Sequence, residues 1–430
     1  MNESLKSRYE KAELLEISST EDATSEYLKI LEEAKLSDAF ILSTVGRKLR
    51  KLGRSQLFID KIKQYPYEEV KKRKHVNDAY LYCLYSVEIA QYVYVEETFE
   101  NFINTAKLIT DNCEQLGVDQ FNFNPYVLTV YKVVQVLKHR ASTSYFQELK
   151  WINKLNPELL PIEPKEIQAQ NGRTYEMASY KEFYYQVKTK CLEKIEKFEE
   201  CIKLCETALY TFEKLHYGNR LWFSARKLYC ECLKSGNKED IEHYREIAEE
   251  HHFWYMYHKL ANLYFSCGDV DKALYYSCKA ILSDVFDQEK MINLIFDIGM
   301  LFENTNNSAK AKSFYEAALY YRSSLGWFIP EELRFAEKEF NLVRNQQPNI
   351  VQLKNYALEV IKEVDSLKFG IISNINLDKK YGFIKYDGNK SMYFSLKIIK
   401  IRPKLNDKVY FKIGTINDKP CAVDIYKIGR

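Results

Sequence analysis

The chain has 430 residues, of which 46% are hydrophobic and 29% are charged. This composition favours a folded protein of roughly two to four domains and excludes a largely disordered chain. No apolar run reaches the length of a signal peptide or of a membrane-spanning helix, so we expect a cytoplasmic protein without a membrane partner.

Charge is distributed unevenly along the chain. The whole sequence carries 63 Lys and Arg against 60 Asp and Glu, a net charge of +3. From Leu367 to Arg430 there are 12 Lys and 2 Arg against 5 Asp and no Glu, which gives +9 and leaves −6 for residues 1–366. Such a local concentration of positive charge is typical of a domain that binds a polyanion.

The first 160 residues are predicted to form helices. Segments such as Ala79–Tyr94 and Thr98–Cys113 place apolar residues at helical spacing, but no regular period links them. Residues 1–160 are therefore interpreted either as divergent helical repeats or as a separate helical bundle. Three closely spaced prolines disfavour helix in the residues before them, so a boundary is predicted at Asn156–Arg173.

Two basic runs lie in this N-terminal region, Arg47–Lys51 and Lys71–His75. Runs of this kind are usually solvated helix faces or turns, and we adopt that interpretation. The alternative is that they extend an RNA path along the N-terminal helices.

Residues 174–365 contain repeated pairs of helices. In one unit, apolar and small residues recur at relative positions 0, 3, 4, 7, 11, 16, 20 and 23, namely Tyr257, Leu260, Ala261, Tyr264, Gly268, Ala273, Ser277 and Ala280. Comparable units are anchored at Tyr185, Trp222 and Ile295. The pattern resembles the tetratricopeptide repeat. The resemblance implies a right-handed helical solenoid whose groove holds a protein or peptide.

The ten cysteines contain no C-x-x-C pair, so neither a zinc ribbon nor a redox motif is supported. Cys201 and Cys205 share a helix face, and we interpret them as small buried side chains. The alternative is a pair of metal ligands. No cofactor and no metal site is expected.

Sequence motifs for catalysis are missing. There is no phosphate-binding glycine loop, no dinucleotide fingerprint, no zinc-protease motif and no nucleophile elbow. Arg245 and His251 have an R-x5-H spacing that helical RNases of the HEPN type also use, and such a pair can stabilise charge and move a proton. The preferred interpretation is a surface arginine and a junction histidine, so no enzyme is expected.

Residues 367–430 place aromatic side chains at alternating positions in a lysine-rich stretch. Tyr381 and Phe383 alternate along one predicted strand, and Tyr393 can lie beside them on the next. Three rings among lysines form a platform on which unpaired bases stack. The alternative is that the rings belong to the core. Inward positions are already supplied by other apolar residues, namely Ile371, Ile384, Val409, Phe411, Val423 and Ile425.

From Gly370 to about Leu396 the sequence resembles a cold-shock domain without a gap. The similar segments are the first strand Gly370–Asn376, the first RNP motif Lys379–Ile384, the second RNP motif Met392–Ser395 and the closing strands Asn406–Phe411 and Pro420–Ile425. The resemblance implies that residues 367–430 form a five-stranded antiparallel OB-fold barrel.

By this resemblance Tyr381, Phe383 and Tyr393 would stack on bases and Lys379 would contact phosphate. Further phosphate contacts are expected from Lys380, Lys385, Lys390 and Lys397. The family usually has Trp, Phe, Gly, His and an aromatic residue where this chain has, in order, Asn374, Ile375, Lys380, Ser395 and Leu396.

The sequence thus predicts a mostly helical chain in three parts: the N-terminal helical region, the repeats at 174–365 and the barrel at 367–430. The predicted function is that of a non-enzymatic adaptor, which binds single-stranded RNA or DNA with its barrel and a protein with its helical groove. Two alternatives remain open: a helical-repeat RNase that uses Arg245 and His251, and a purely protein-binding regulator with a vestigial barrel.

Overall fold

A computed structural model describes residues 4–116, 125–138, 145–168, 172–283, 287–388, 390–397, 402–416 and 418–427. The chain forms two compact units, Met1–Phe223 and Ser224–Arg430. Most of the described residues are helical, and a five-stranded antiparallel sheet lies at the C-terminal end of the second unit. None of the helices in these ranges is both long and apolar enough to cross a membrane.

The first unit begins with helices whose apolar faces form its core. They are α1 (Leu5–Ser18), α2 (Thr20–Glu33), α3 (Ala39–Lys51), α4 (Ser55–Ile62), α5 (Tyr67–Lys71), α6 (Lys74–Leu84), a π-helical turn (Tyr85–Ile89), α7 (Glu96–Asn112), α8 (Pro125–Leu137) and α9 (Tyr145–Ile152). Serine side chains begin α1 and α2, because the Ser4 and Ser19 hydroxyls accept hydrogen bonds from backbone N–H groups of the first turns. The helices predicted for residues 1–160 agree with this arrangement.

A short β-hairpin follows the proline-rich segment. After a 3₁₀ turn (Pro157–Leu159), β1 (Lys165–Gln168) pairs antiparallel with β2 (Thr174–Met177). The sequence predicted only a break at Asn156–Arg173, since four-residue strands are too short to show a clear alternation. Two more helices belong to the first unit, α10 (Tyr180–Lys194) and α11 (Phe198–Thr211).

More helices follow, and turns of two or three residues join the first six of them in pairs. They are α12 (Asn219–Ser235), α13 (Lys238–His251), α14 (Trp254–Ser266), α15 (Val270–Ile281), α16 (Gln288–Asn304), α17 (Ser308–Ser324), α18 (Glu331–Glu339) and α19 (Ile350–Asp365). The bounds agree with the helix pairs expected from the repeated pattern. Gly268 has φ +78° in the turn between α14 and α15, a conformation that glycine adopts without steric cost. Tyr257, Leu260 and Ala273, which belong to the repeated pattern, are buried.

The C-terminal sheet has five antiparallel strands in the order β5-β4-β3-β6-β7. Their bounds are β3 (Lys368–Asn376), β4 (Tyr381–Tyr386), β5 (Lys390–Ser395), β6 (Lys408–Ile416) and β7 (Lys419–Lys427). All five strands predicted from the sequence are present, with ends that shift by a few residues. No hydrogen-bonded ladder joins β5 to β7 among the described residues, and the sheet is open there.

One face of this sheet buries the apolar core of the domain. The core residues are Ile372, Ile384, Met392, Phe394, Val409, Phe411, Ala422 and Ile425. Ile371, which was expected to point inward, is 39% exposed. A bulge between Ile372 and Asn374 inserts one residue into β3 and reverses the alternation of the side chains before it.

Polar contacts fix the sheet to the helices before it. Asp365, at the end of α19, accepts a hydrogen bond from the Tyr275 hydroxyl of α15 at 2.8 Å and one from Lys412 Nζ of β6 at 2.7 Å. Lys279 of α15 reaches Asp424 of β7, with 3.4 Å between Nζ and Oδ2. Only two residues separate α19 from β3, so the sheet follows the last helix directly.

Candidate nucleic-acid interface

Three aromatic rings meet on the sheet face opposite the core. Phe383 of β4 lies directly opposite Tyr393 of β5 in the strand register, and Tyr381 lies opposite Ser395. Gly382, Ile384, Met392 and Phe394, which alternate with these residues, are buried. The period of two therefore places Tyr381, Phe383 and Tyr393 together on the other face. We call these three side chains the ring platform.

The three rings contact one another and remain open to solvent. The ring centroids of Tyr381 and Phe383 are 5.7 Å apart, and each of these rings is 6.0 Å from Tyr393. Tyr393 is 38% exposed, and the other two are half-buried. Aromatic pairs at these distances stabilise each other by edge contacts while their free edges and faces stay available. The alternative that these rings form the core is wrong for this sheet.

Five exposed lysines lie at the two ends of the ring platform. Lys379, Lys380 and Lys397 lie at the end marked by Tyr381 and Ser395, where the Leu396 N–H donates to the Lys380 carbonyl oxygen at 2.9 Å. Lys385 and Lys390 lie towards the opposite end. None of the five is ion-paired with a carboxylate of the described part of the chain. Their charge is therefore available to a polyanion.

The turn before β4 is held in a fixed conformation. The Lys379 backbone N–H donates to Asn376 Oδ1 at 2.8 Å, and Lys380 has φ +54°. Asparagine supports such turns through its side-chain oxygen. The turn requires a left-handed backbone conformation at Lys380, the position at which the cold-shock pattern has glycine.

The other departures from the cold-shock pattern divide into two kinds. Ile375 and Leu396 are half-buried and pack against the core. Asn374 is exposed opposite Phe383 in the register, and Ser395 lies opposite Tyr381. The ring platform is therefore bordered by an amide and a hydroxyl, which can hydrogen-bond to a base but do not extend the stacking surface.

The sheet order separates the ring platform from the helices. The platform lies on β4 and β5, at one end of the order β5-β4-β3-β6-β7. The ion pairs and hydrogen bonds to the helices come from Tyr410 and Lys412 of β6 and Asp424 of β7. A single strand could contact the platform without displacing this attachment.

Arg245 and His251 both lie in α13, but Arg245 is ion-paired with two glutamates. Its guanidinium contacts Glu242 and Glu249 at 2.7 Å each. The hydrogen bond to Glu242 is the main cause that raises the pKa of Arg245 above its usual value. His251 stacks on Phe253, with 6.2 Å between the ring centroids. An arginine held by two carboxylates is poorly placed to neutralise a phosphate.

The cysteine pair and the two basic runs named from the sequence are either in contact with other residues or exposed. Cys201 and Cys205 are buried, and the Cys201 thiol donates to the Thr189 carbonyl oxygen. No group of three or more potential metal ligands is found among the described residues. In the first basic run, Lys48 lies between Glu13 and Glu16, at 3.0 and 3.1 Å. The second run is exposed.

A groove between α16 and α18 was not predicted from the sequence. It has a volume of about 640 Å³ and is lined by Glu303, Glu331, Glu332 and Glu339 around the Phe335 ring, which is 69% exposed. The described residues that line it include no lysine or arginine. Glutamates at 331 and 339, with Phe335 midway, recur at four-residue steps along one helix face, a signal that could have identified it.

Comparison with protein-family models and with curated proteins gives no match for this chain. The geometry of the residues is therefore the basis for assigning a function.

Proposed function

We propose that the protein is a non-enzymatic adaptor that binds single-stranded nucleic acid, RNA in the first instance, on its C-terminal sheet and a protein segment on its helices. In this proposal the C-terminal sheet is a cold-shock-like OB-fold, and the paired helices form a tetratricopeptide-like right-handed solenoid. The observation that carries the proposal is the ring platform, because three solvent-accessible rings with unpaired lysines at both ends suit stacked bases and their phosphates.

Stacking and charge have separate roles in this mechanism. Bases rest on Tyr381, Phe383 and Tyr393, and each stacked base contributes about 1–3 kcal/mol. The lysines at both ends of the platform neutralise the backbone and release counterions. Since every base has an aromatic face, binding should show little sequence preference.

The salt dependence of binding tests the role of the lysines. If about four phosphates are neutralised, log K should fall with log[salt] at a slope of roughly −3, since each contact on a single strand contributes about −0.7. Replacing both Lys379 and Lys380 by alanine should reduce the slope to about −1.5. The measurement is fluorescence anisotropy with a labelled oligopyrimidine at increasing salt concentration.

A matched control removes charge elsewhere in the same sheet domain. Lys404 and Lys419 are exposed and lie outside the lysines of the platform. Their double alanine variant has the same net charge as the first variant, and it should keep a slope of roughly −3. A flat salt response in the unmodified protein would contradict the proposed mechanism.

The groove between α16 and α18 indicates the chemistry of the protein segment that would bind there. Four carboxylates around an exposed ring favour a segment that combines an apolar anchor with lysine or arginine.

We expect the full chain to bind peptides that are both basic and apolar when they are displayed on a peptide array. It should not bind versions of these peptides in which acidic residues replace the basic ones. Reversing charge with Glu331→Lys and Glu332→Lys should reduce this binding at least tenfold. The exposed pair Glu246→Lys and Glu250→Lys on α13 is the control, and equal loss in both variants would show only a general charge effect.

A further inference from the structure

A depression of about 520 Å³ lies along β3 and the end of β4. Two exposed apolar side chains line it, Phe369 at 45% and Ile371 at 39% exposure. Lys385 and Asn406 also line it. It contains none of the three platform rings. Exposed apolar side chains in a concave surface indicate a place where a ligand binds and covers them.

The strand register places a lysine on each side of Ile371. Its Cα partners are Lys385 on β4 and Lys408 on β6. Both lysines are exposed, and neither is ion-paired within the described residues. Phe369 has an aromatic neighbour in Tyr410, with 5.5 Å between the ring centroids. The depression therefore repeats the combination found at the ring platform, an apolar or aromatic surface flanked by free cations.

The depression continues the face on which the ring platform lies. Lys385 follows Phe383 by two residues on β4, so the two side chains point the same way and are about 7 Å apart along the strand. The bulge in β3 is what turns Ile371 to this face and brings it into register with Lys385. One strand of nucleic acid can thus pass from the rings over Lys385 to Ile371.

We propose that this depression is a second subsite for the same single strand, which takes the nucleotide that follows those stacked on the ring platform. The proposal rests on the function proposed above. The base lies on Phe369 and Ile371, Lys385 and Lys408 contact its flanking phosphates, and Asn406, which also lines the depression, offers its amide to a base edge. One carboxylate, Asp387, is also present in the lining, and it is ion-paired with Lys368 at 4.0 Å.

Oligonucleotide length separates the two subsites. The full chain is titrated with labelled oligouridylates of about four and about eight nucleotides, lengths that lie within the range covered by one OB-fold. The longer strand should bind more tightly. The variant Ile371→Thr with Lys408→Ala should lower affinity for the longer strand about tenfold and leave the shorter one unchanged, since threonine keeps the strand propensity and removes the apolar surface.

The control variant makes the same two changes outside the depression. Ile413 is 44% exposed on β6, and Lys419 is exposed on β7. Ile413→Thr with Lys419→Ala should leave both affinities unchanged. Should the first variant fold poorly, Lys408→Ala alone, which removes no apolar contact, should still cost the longer strand about threefold.

The outcomes distinguish the subsite from the proposed function. If both strands lose affinity equally in the variant, or if neither does, the second subsite is overturned and the ring platform stands. If the unmodified protein binds neither strand, both proposals are overturned.

Discussion

Replacing Phe383 and Tyr393 together by alanine should lower the affinity for a single-stranded oligopyrimidine about thirtyfold or more. Two lost stacking contacts correspond to about 2–6 kcal/mol, and 1.4 kcal/mol is a factor of ten. The cost to folding should be smaller, because both rings lie outside the core and their cross-strand contact contributes about 0.2–1 kcal/mol. Fluorescence anisotropy measures the affinity, and thermal unfolding measures the stability.

A matched control removes one phenylalanine and one tyrosine elsewhere. Phe40 is 74% exposed and Tyr210 is 95% exposed, both in the first unit. Phe40→Ala with Tyr210→Ala should bind the oligonucleotide as tightly as the unmodified protein. Unchanged affinity in the Phe383 and Tyr393 variant would show that these rings are structural, and the C-terminal sheet would then serve only as a scaffold.

The ring platform could be predicted from the sequence because it depends on the alternation of side chains along two neighbouring strands. A strand alternates its side chains whatever lies around it, so Tyr381 and Phe383 had to share a face once β4 formed. Buried Ile384 and Phe394 fix which face is the core, and the rings take the other. The same local rule identified the helix pairs, since apolar spacing and the turn at Gly268 are visible in the sequence.

Ile371 shows where this local rule fails. Counting by twos along β3 points Ile371 inward with Ile375, but the bulge after Ile372 adds one residue and reverses the alternation. Residues 371–376 contain no proline or glycine that would mark the bulge in the sequence. The depression around Ile371 was therefore missed, and with it the role that we propose for Lys408.

Contacts between distant segments also escaped prediction. Lys279 and Asp424 are 145 residues apart in the sequence, and Lys279 lies in a helix whose pattern predicts only a buried apolar face. The groove between α16 and α18 likewise depends on how the helices pack. Residue spacing within one element cannot identify which elements meet.

Removing the charge of Asp424 should destabilise the second unit by about 3 kcal/mol. The Lys279 side chain is 6% exposed, and its ammonium group lies 5.3 Å from the centre of the Tyr257 ring and 5.5 Å from that of Tyr275. Asp424 is the carboxylate that pairs with it, at 3.4 Å. In Asp424→Asn the cation stays buried without its partner charge, a change that typically costs about 3–5 kcal/mol. Asparagine tolerates the left-handed conformation of this residue, φ +46°, so backbone strain is not the cause.

A second substitution distinguishes the buried cation from other causes. Lys279→Met keeps an unbranched side chain and removes the charge, so the double variant with Asp424→Asn should regain most of the lost stability. Asp418→Asn is the control, because Asp418 is exposed just before β7 and has φ +62°. Urea unfolding followed by circular dichroism gives the free energies of unfolding.

If Asp424→Asn is as stable as Asp418→Asn, the ion pair between Lys279 and Asp424 does not hold the sheet. If the double variant is no more stable than Asp424→Asn, the buried lysine is not the cause. Oligonucleotide affinity at temperatures below unfolding should not change in any of these variants, because the platform side chains come from β4 and β5 and Asp424 comes from β7.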